Sequence, residues 1–153
     1  MNIHFTLLPE AVGFSDAGTK QAVLERLADQ FAAIYGIGRS LVLERLQARE
    51  ALGSTGFGRG VAMPHARIPD VSSPVAAFLR MDEPVQFEAV DSMPVDFVFA
   101  LISPEIAGAA HLQALAAISR TMRDERMCER LAKATSPEEL YGILSNVTDR
   151  NAA

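Results

Sequence analysis

Val95-Asp-Phe-Val-Phe-Ala-Leu-Ile102, opened by Pro94, reads as the strongest strand of the chain. Its near-continuous apolar character, rich in β-branched and aromatic residues, suits a central strand covered on both faces. Asp96 falls at its start, where an ordinary polar strand-end residue and an orienter of a nearby histidine are both open readings. Covering both faces of a sheet takes helices on both sides, and the sequence supplies helix periods before and after the strands.

Upstream, Val75 to Met81 reads as a neighbouring strand, with a loop or hairpin over 82–92 around Val85-Gln-Phe87. Thr19 is a plausible N-cap for a helix to about Tyr35, with Val23, Leu27, Phe31 and Ile34 on one face and Gly36 and Gly38 ending it. A second helix spans about Ser40 to Arg49. Downstream, Leu112, Leu115, Ile118 and Met122 predict the buried stripe of a helix over 109–122, with His111 in its first turn. A helix over 124–134 follows. Ser136-Pro-Glu-Glu139 is a capping box that opens a last helix carrying Leu140, Ile143 and Leu144. Residues 3–8 read as a short strand or apolar arm, and 9–18 as loop. The expected architecture is one α/β domain over residues 1–148, a mixed sheet between helices in three layers α/β/α, with a frayed tail over 149–153.

Between the second helix and the strands lies Gly53-Ser-Thr-Gly-Phe-Gly-Arg-Gly-Val-Ala-Met-Pro-His65. Glycines at 53, 56, 58 and 60 allow positive φ and close backbone approach, and such a loop can turn several N–H groups toward one anion. Pro64 biases Met63 toward extended backbone. His65 is then expected at the end of a short strand, followed by a polar turn through Pro74. Arg49 enters the loop from the preceding helix, and Arg59 adds a charge inside it.

The chain of 153 residues is 49% hydrophobic and 22% charged, the balance of a globular domain. A net charge of −5 argues against a general nucleic-acid binder. Cys128 is the single cysteine, so no intramolecular disulfide exists, and its helical setting favours a small buried residue over a nucleophile. The N-terminus lacks the pattern of a signal peptide, and no apolar run is long enough to span a bilayer, so no direct membrane insertion is expected and a cytoplasmic location is the simplest expectation.

Arg49, His65 and His111 each begin or follow a regular element and are expected at one edge of the sheet. Two histidines without a close carboxylate or cysteine make a poor zinc set. Gly-Ser-Thr-Gly is not a nucleophile elbow, and the loop holds no lysine for a nucleotide P-loop. A histidine phosphoryl acceptor remains, since neutral imidazole is nucleophilic near pH 7 and a glycine loop, an arginine and a second imidazole supply donors for phosphoryl oxygens. An anion-binding module without turnover stays open on the same residues.

The run Arg49-Glu-Ala-Leu-Gly-Ser-Thr-Gly-Phe-Gly-Arg-Gly-Val-Ala-Met-Pro-His65 resembles the active-site signature of enzyme IIA domains of the bacterial phosphoenolpyruvate-dependent phosphotransferase system, of the fructose/mannitol and nitrogen-regulatory class. The likeness continues through Glu88-Ala-Val-Asp-Ser-Met-Pro-Val-Asp-Phe-Val-Phe-Ala-Leu101 and His111-Leu-Gln-Ala-Leu115 to Pro137-Glu-Glu-Leu-Tyr141. It implies the phosphotransferase IIA type-2 fold and a phosphoryl carrier, a transferase-type relay rather than a metabolic enzyme, using no cofactor or metal. His65 would accept the phosphoryl group from the histidine phosphocarrier HPr or its nitrogen-branch counterpart. His111 would orient or stabilise the phosphate, Arg49 would pair with its oxygens, and Ser54 and Thr55 would hydrogen-bond it. Two jobs compete within the family. A transport subunit passes the group to a IIB domain and a sugar of the fructose/mannitol type. A nitrogen-regulatory protein binds targets such as transporters or sensor kinases according to its phosphorylation state. The form of the glycine loop and the free-standing length look more like the regulatory type. The small apolar approach to His111, Ile106-Ala-Gly-Ala-Ala110, departs from the polar residues common there.

Overall fold

The structure is a computed structural model that describes residues 4–152, with side chains described through residue 145. After a short 3-10 turn at Pro9–Ala11 the elements are β1 (Val12–Ser15), α1 (Lys20–Tyr35), α2 (Arg39–Ala51), β2 (Gly56–Gly58), β3 (Val61–Ala62), β4 (His65–Ile68), β5 (Val75–Val85), β6 (Val95–Pro104), α3 (Ala109–Arg123), α4 (Glu125–Lys133) and α5 (Pro137–Ala152). Six strands form one mixed sheet in the order β1-β5-β6-β3-β2, with β4 also paired to β6. The three-layer α/β/α architecture is the one expected, with Val95–Ile102 in its centre. Alternate residues of β6 feed two cores: Val98, Ala100 and Ile102 face α1 and α2, whereas Phe97, Phe99 and Leu101 face α3, α4 and α5.

Several local expectations change. Residues 12–15, read as loop, form β1, which pairs parallel with β5 at Val12–Phe78 through Ser15–Met81. The apolar arm at the N-terminus buries Phe5 and makes one bridge, Thr6 to Val75; Ile3 of that arm lies outside the described residues. The segment after His65, read as a turn, is strand β4. It continues β3 along β6 in unbroken register, with Val61 opposite Phe97, Ala62 opposite Val98, His65 opposite Leu101 and Arg67 opposite Ser103. Proline at 64 donates no hydrogen bond, so the ladder skips there, although the Pro64 carbonyl still accepts from Leu101 N at 3.0 Å. His65 therefore starts a strand rather than ending one. The buried stripe of α3 is His111, Ala114, Ala117, Ile118, Thr121 and Met122, not one beginning at Leu112, which is 64% exposed. The expected frayed tail falls where side chains lie outside the described residues, and the backbone there is helical through Ala152.

The helix ends follow their local chemistry. Thr19 caps α1 by accepting from Ala22 N, and Gly36 closes it at φ 71°. Ser136 accepts from Glu139 N, while the Glu139 carboxylate reaches Thr135 N, one residue before the cap. Arg80 of β5 ties the layers together. Its Nη1 donates to the carbonyls of Leu131, Ala132 and Ala134 at the end of α4, and its guanidinium lies 4.3 Å from the Phe14 ring. Arg80→Met is expected to lower stability by about 2 kcal/mol, the scale of hydrogen bonds to a charged group, in urea unfolding. A loss under 0.5 kcal/mol would show that water replaces these contacts at no cost. Among the described residues no helix is long and apolar enough to cross a membrane.

Candidate functional site

The glycine loop folds as a hairpin. Arg59 at φ 59° and Gly60 at φ 80° form the two-residue turn between β2 and β3, the doubly left-handed geometry that antiparallel hairpins favour. Gly56 lies against Ala89, where an added Cβ would come within 2.9 Å of the Ala89 Cβ. The hairpin tip leads away from the histidines. Arg59 pairs with Glu125 of α4 at 2.8 Å, an exposed ion pair within the chain.

What the hairpin does deliver is β4. Odd residues of β3 and β4 share the α3 face with Leu101 and Ser103 of β6, which aims His65 at the N-terminal turn of α3, where His111 sits. The two imidazole centroids are 5.5 Å apart. Arg49 comes from α2, in the opposite layer. It reaches the same point because β4 lies along the sheet margin there, with β6 as its partner strand. Its Nε–H donates to His65 Nε2 at 3.2 Å, and its Nη1 is held by the Gly53 carbonyl at 2.7 Å. The predicted trio of Arg49, His65 and His111 thus lines one cleft of about 450 Å³, together with Arg45, Arg67, Leu52, Leu112 and Leu115.

The hydrogen bonds decide the state of His65. Its Nδ1 lies 2.8 Å from the Met63 carbonyl, which can only accept, so Nδ1 carries the proton and Nε2 presents a lone pair to the cleft. Burial lowers its pKa from the ordinary value of 6.5, the Met63 bond works against this, and the charges of Arg49 and Arg67 lower it further. His111 is 5% exposed and is pulled down to about 4, by burial first and then by the positive charge of His65 and Arg67. Its Nδ1 is 2.7 Å from the hydroxyl of the buried Ser103. Both rings are neutral at pH 7.

Ser54 and Thr55 do not line this cleft. The Ser54 hydroxyl donates to the Phe87 carbonyl at 2.5 Å and accepts from Gly56 N at 3.0 Å. The Thr55 hydroxyl donates to Glu50. Both are occupied in building the loop. Asp96 lies at the other end of β6, beside Gly60, and so keeps the plain reading of a strand-end residue. The sequence reading missed Arg67, Ser103, Arg45 and the exposed Leu52 and Leu112. Strand alternation from His65 would have pointed to Arg67, but only once 65–68 was known to be a strand.

The cleft sets a half-buried, neutral imidazole against an arginine at the margin of a mixed sheet, and the fold around it is that of a phosphoryl-relay domain. The chain belongs to the family described as "Phosphoenolpyruvate-dependent sugar phosphotransferase system, EIIA 2", which matches residues 7–147. Within that family its likeness runs to the nitrogen-regulatory class. It is 38% identical over 146 residues to the nitrogen regulatory protein of Bradyrhizobium diazoefficiens, covering 95% of each chain. It is 41% identical over 131 residues to that of Pseudomonas aeruginosa, covering 85% of each. The crystal structure of nitrogen regulatory protein IIA-Ntr from Neisseria meningitidis superposes with a TM-score of 0.84 at 36% identity, covering 90% of this chain and 95% of that one. Domains of this family interact with HPr-type phosphocarriers or IIB domains and act as relay components rather than as metabolic enzymes.

Proposed function

We propose that His65 accepts a phosphoryl group through Nε2 from the phosphohistidine of an HPr-type carrier or its nitrogen-branch counterpart. The chain would then act as a nitrogen or metabolic switch, binding target proteins according to its phosphorylation state. The observation that carries the first part is the Nδ1–H bond to Met63, which leaves Nε2 unprotonated in the cleft beside Arg49. In the transfer, the Nε2 lone pair forms the new N–P bond while the donor's N–P bond breaks and its electron pair returns to the donor imidazole. No proton moves from Nε2. The positive charge that develops on the His65 ring is stabilised through Nδ1–H by the Met63 carbonyl. Arg49 shifts its N–H groups from the lone pair to the phosphoryl oxygens, where charge accumulates. With the Ser103 hydroxyl donating to Nδ1 of His111, Nε2–H of His111 supplies a further donor to the cleft.

The switch follows from the same place. A dianionic group in a cleft ringed by exposed Leu52 and Leu112 adds charge to an apolar rim, which changes what can pack there. The likeness to nitrogen-regulatory proteins favours this role over sugar transport. The test is incubation with phosphoenolpyruvate, enzyme I and the carrier. An acid-labile adduct is expected, followed by capture of different target proteins by the phosphorylated and unmodified forms. Absence of the adduct under conditions that phosphorylate the carrier would leave an anion-binding module. Rapid onward transfer to a IIB domain would replace the regulatory role by transport.

A further inference from the structure

We infer that Lys20, Glu50 and Thr55 are positioning residues that set the tautomer of His65, and so choose Nε2 as the phosphoryl acceptor; this rests on His65 being that acceptor. Glu50 is a buried carboxylate in the last turns of α2, directly after Arg49. A buried charge is costly unless its partners surround it. Here Lys20 Nζ, from the first residue of α1, lies 2.9 Å from Oε1. The Thr55 N–H donates to the same oxygen at 3.1 Å, and the Thr55 hydroxyl donates to Oε2. Two helices and the start of the glycine loop are therefore joined at one carboxylate.

From Thr55 the chain of bonds runs to the reacting ring. The Thr55 carbonyl accepts from Met63 N at 3.0 Å, and the Met63 carbonyl accepts from His65 Nδ1–H at 2.8 Å. The Met63 peptide is held at its N–H by the loop and offers its own carbonyl to the imidazole. A second tie keeps the anchor in place. Lys20 lies 4.9 Å from the Phe87 ring centroid, and the Phe87 carbonyl accepts the Ser54 hydroxyl. A glycine-rich loop has many conformations to lose on ordering, and a saturated buried carboxylate is a strong means of selecting one. A slack Met63 carbonyl would release Nδ1–H, leaving Arg49 Nε–H as the one bond that favours this tautomer, and the ring would then place its proton on Nε2 as well. Molecules with the proton on Nε2 present no lone pair to the incoming phosphorus.

The test uses the full chain with 15N-labelled histidine. Two-bond proton–nitrogen spectra at pH 8 read the His65 tautomer, and single-turnover kinetics with phosphorylated carrier read transfer. The wild type is expected to show Nδ1–H alone and to form only Nε2-phosphohistidine. In Glu50→Gln and Thr55→Val the Nε2–H tautomer should appear, and transfer at saturating carrier should fall in proportion to the lost Nδ1–H fraction, roughly tenfold where about one ring in ten keeps it, with KM for the carrier unchanged. Thr55→Ser, which keeps the hydroxyl, should stay within about twofold of wild type. A folded Thr55→Val with an unchanged tautomer, at any rate of transfer, would overturn the proposal, as would a shifted tautomer with unchanged transfer. If Glu50→Gln fails to fold, the Thr55 pair decides. The spectra need no phosphorylation, so a wild type that forms no adduct would defeat the acceptor role while the tautomers still report on the positioning residues.

Discussion

His65→Ala is expected to take up no phosphoryl group from the carrier, and Arg49→Ala to take it up about 10²–10³-fold more slowly. The first effect is complete because the bond-forming lone pair is removed. His4 and His111 are the chain's other histidines, and His111 is a poor substitute, since it is buried with its Nδ1 engaged by the Ser103 hydroxyl. The fold should survive the change. His65 is half-buried and its Nδ1–H makes a single hydrogen bond, to the Met63 carbonyl, so the Tm is expected to move by only a few degrees. The second effect is one of charge. The Arg49 guanidinium is held beside the acceptor by the Gly53 carbonyl at Nη1, so only its Nε–H has to turn from Nε2 to the phosphoryl oxygens. Arg49→Lys keeps the charge but loses the planar fork, and should fall between wild type and alanine. Single-turnover uptake of 32P from the labelled carrier measures all three. An acid-labile adduct on His65→Ala, or an Arg49→Ala rate within threefold of wild type, would remove these residues from the roles given to them.

The sheet's centre and the two helical layers were legible because their signals are local. Eight nearly unbroken apolar residues demand cover on both faces, and Thr19, Gly36 and Ser136 mark helix ends by short-range bonds. β1 and β4 were not legible for the opposite reason. Each has four residues, one with Gly13 in it and the other directly after Pro64, and each owes its strand state to a parallel partner far along the chain, β5 or β6. Propensity is a weak guide where pairing supplies the bonds. Leu112 shows a related failure. Read as a helical stripe it belonged in the core, but His111 and Ala114 take those positions and turn Leu112 outward beside the cleft. His65, proposed as the acceptor, its arginine and the second histidine came from a motif. Glu50, Lys20 and Ser103 required the fold, since a buried ion pair between two helices leaves no periodic trace in sequence.

Acid should destabilise this protein through His111 by about 3 kcal/mol between pH 7 and pH 4. The ring is neutral in the folded state, with its pKa held at about 4, whereas in the unfolded chain it protonates near the ordinary 6.5. Between those values the unfolded state binds more protons, so stability rises with pH. The contribution is whole above pH 6.5 and is lost as pH falls toward 4. Burial is the first cause, and the positive charges of His65 and Arg67 on the same side of the ring add to it. Carboxylates also titrate in this window, so the measurement is a difference. Urea unfolding of wild type and His111→Asn at both pH values should show the stability gap between them shrinking by that amount on acidification. A gap independent of pH would mean that the ring titrates in the native state as it does in the unfolded chain, so that the fold does not hold His111 neutral in acid. Phosphorylating His65 supplies the matching control. Negative charge opposite the His111 ring favours its protonated form, so its pKa must rise and the acid loss must diminish. Because the adduct is acid-labile, this control is read at pH 6 from the His111 ring nitrogens by NMR, and a ring as neutral there as in the unmodified protein would place the phosphoryl group out of reach of His111.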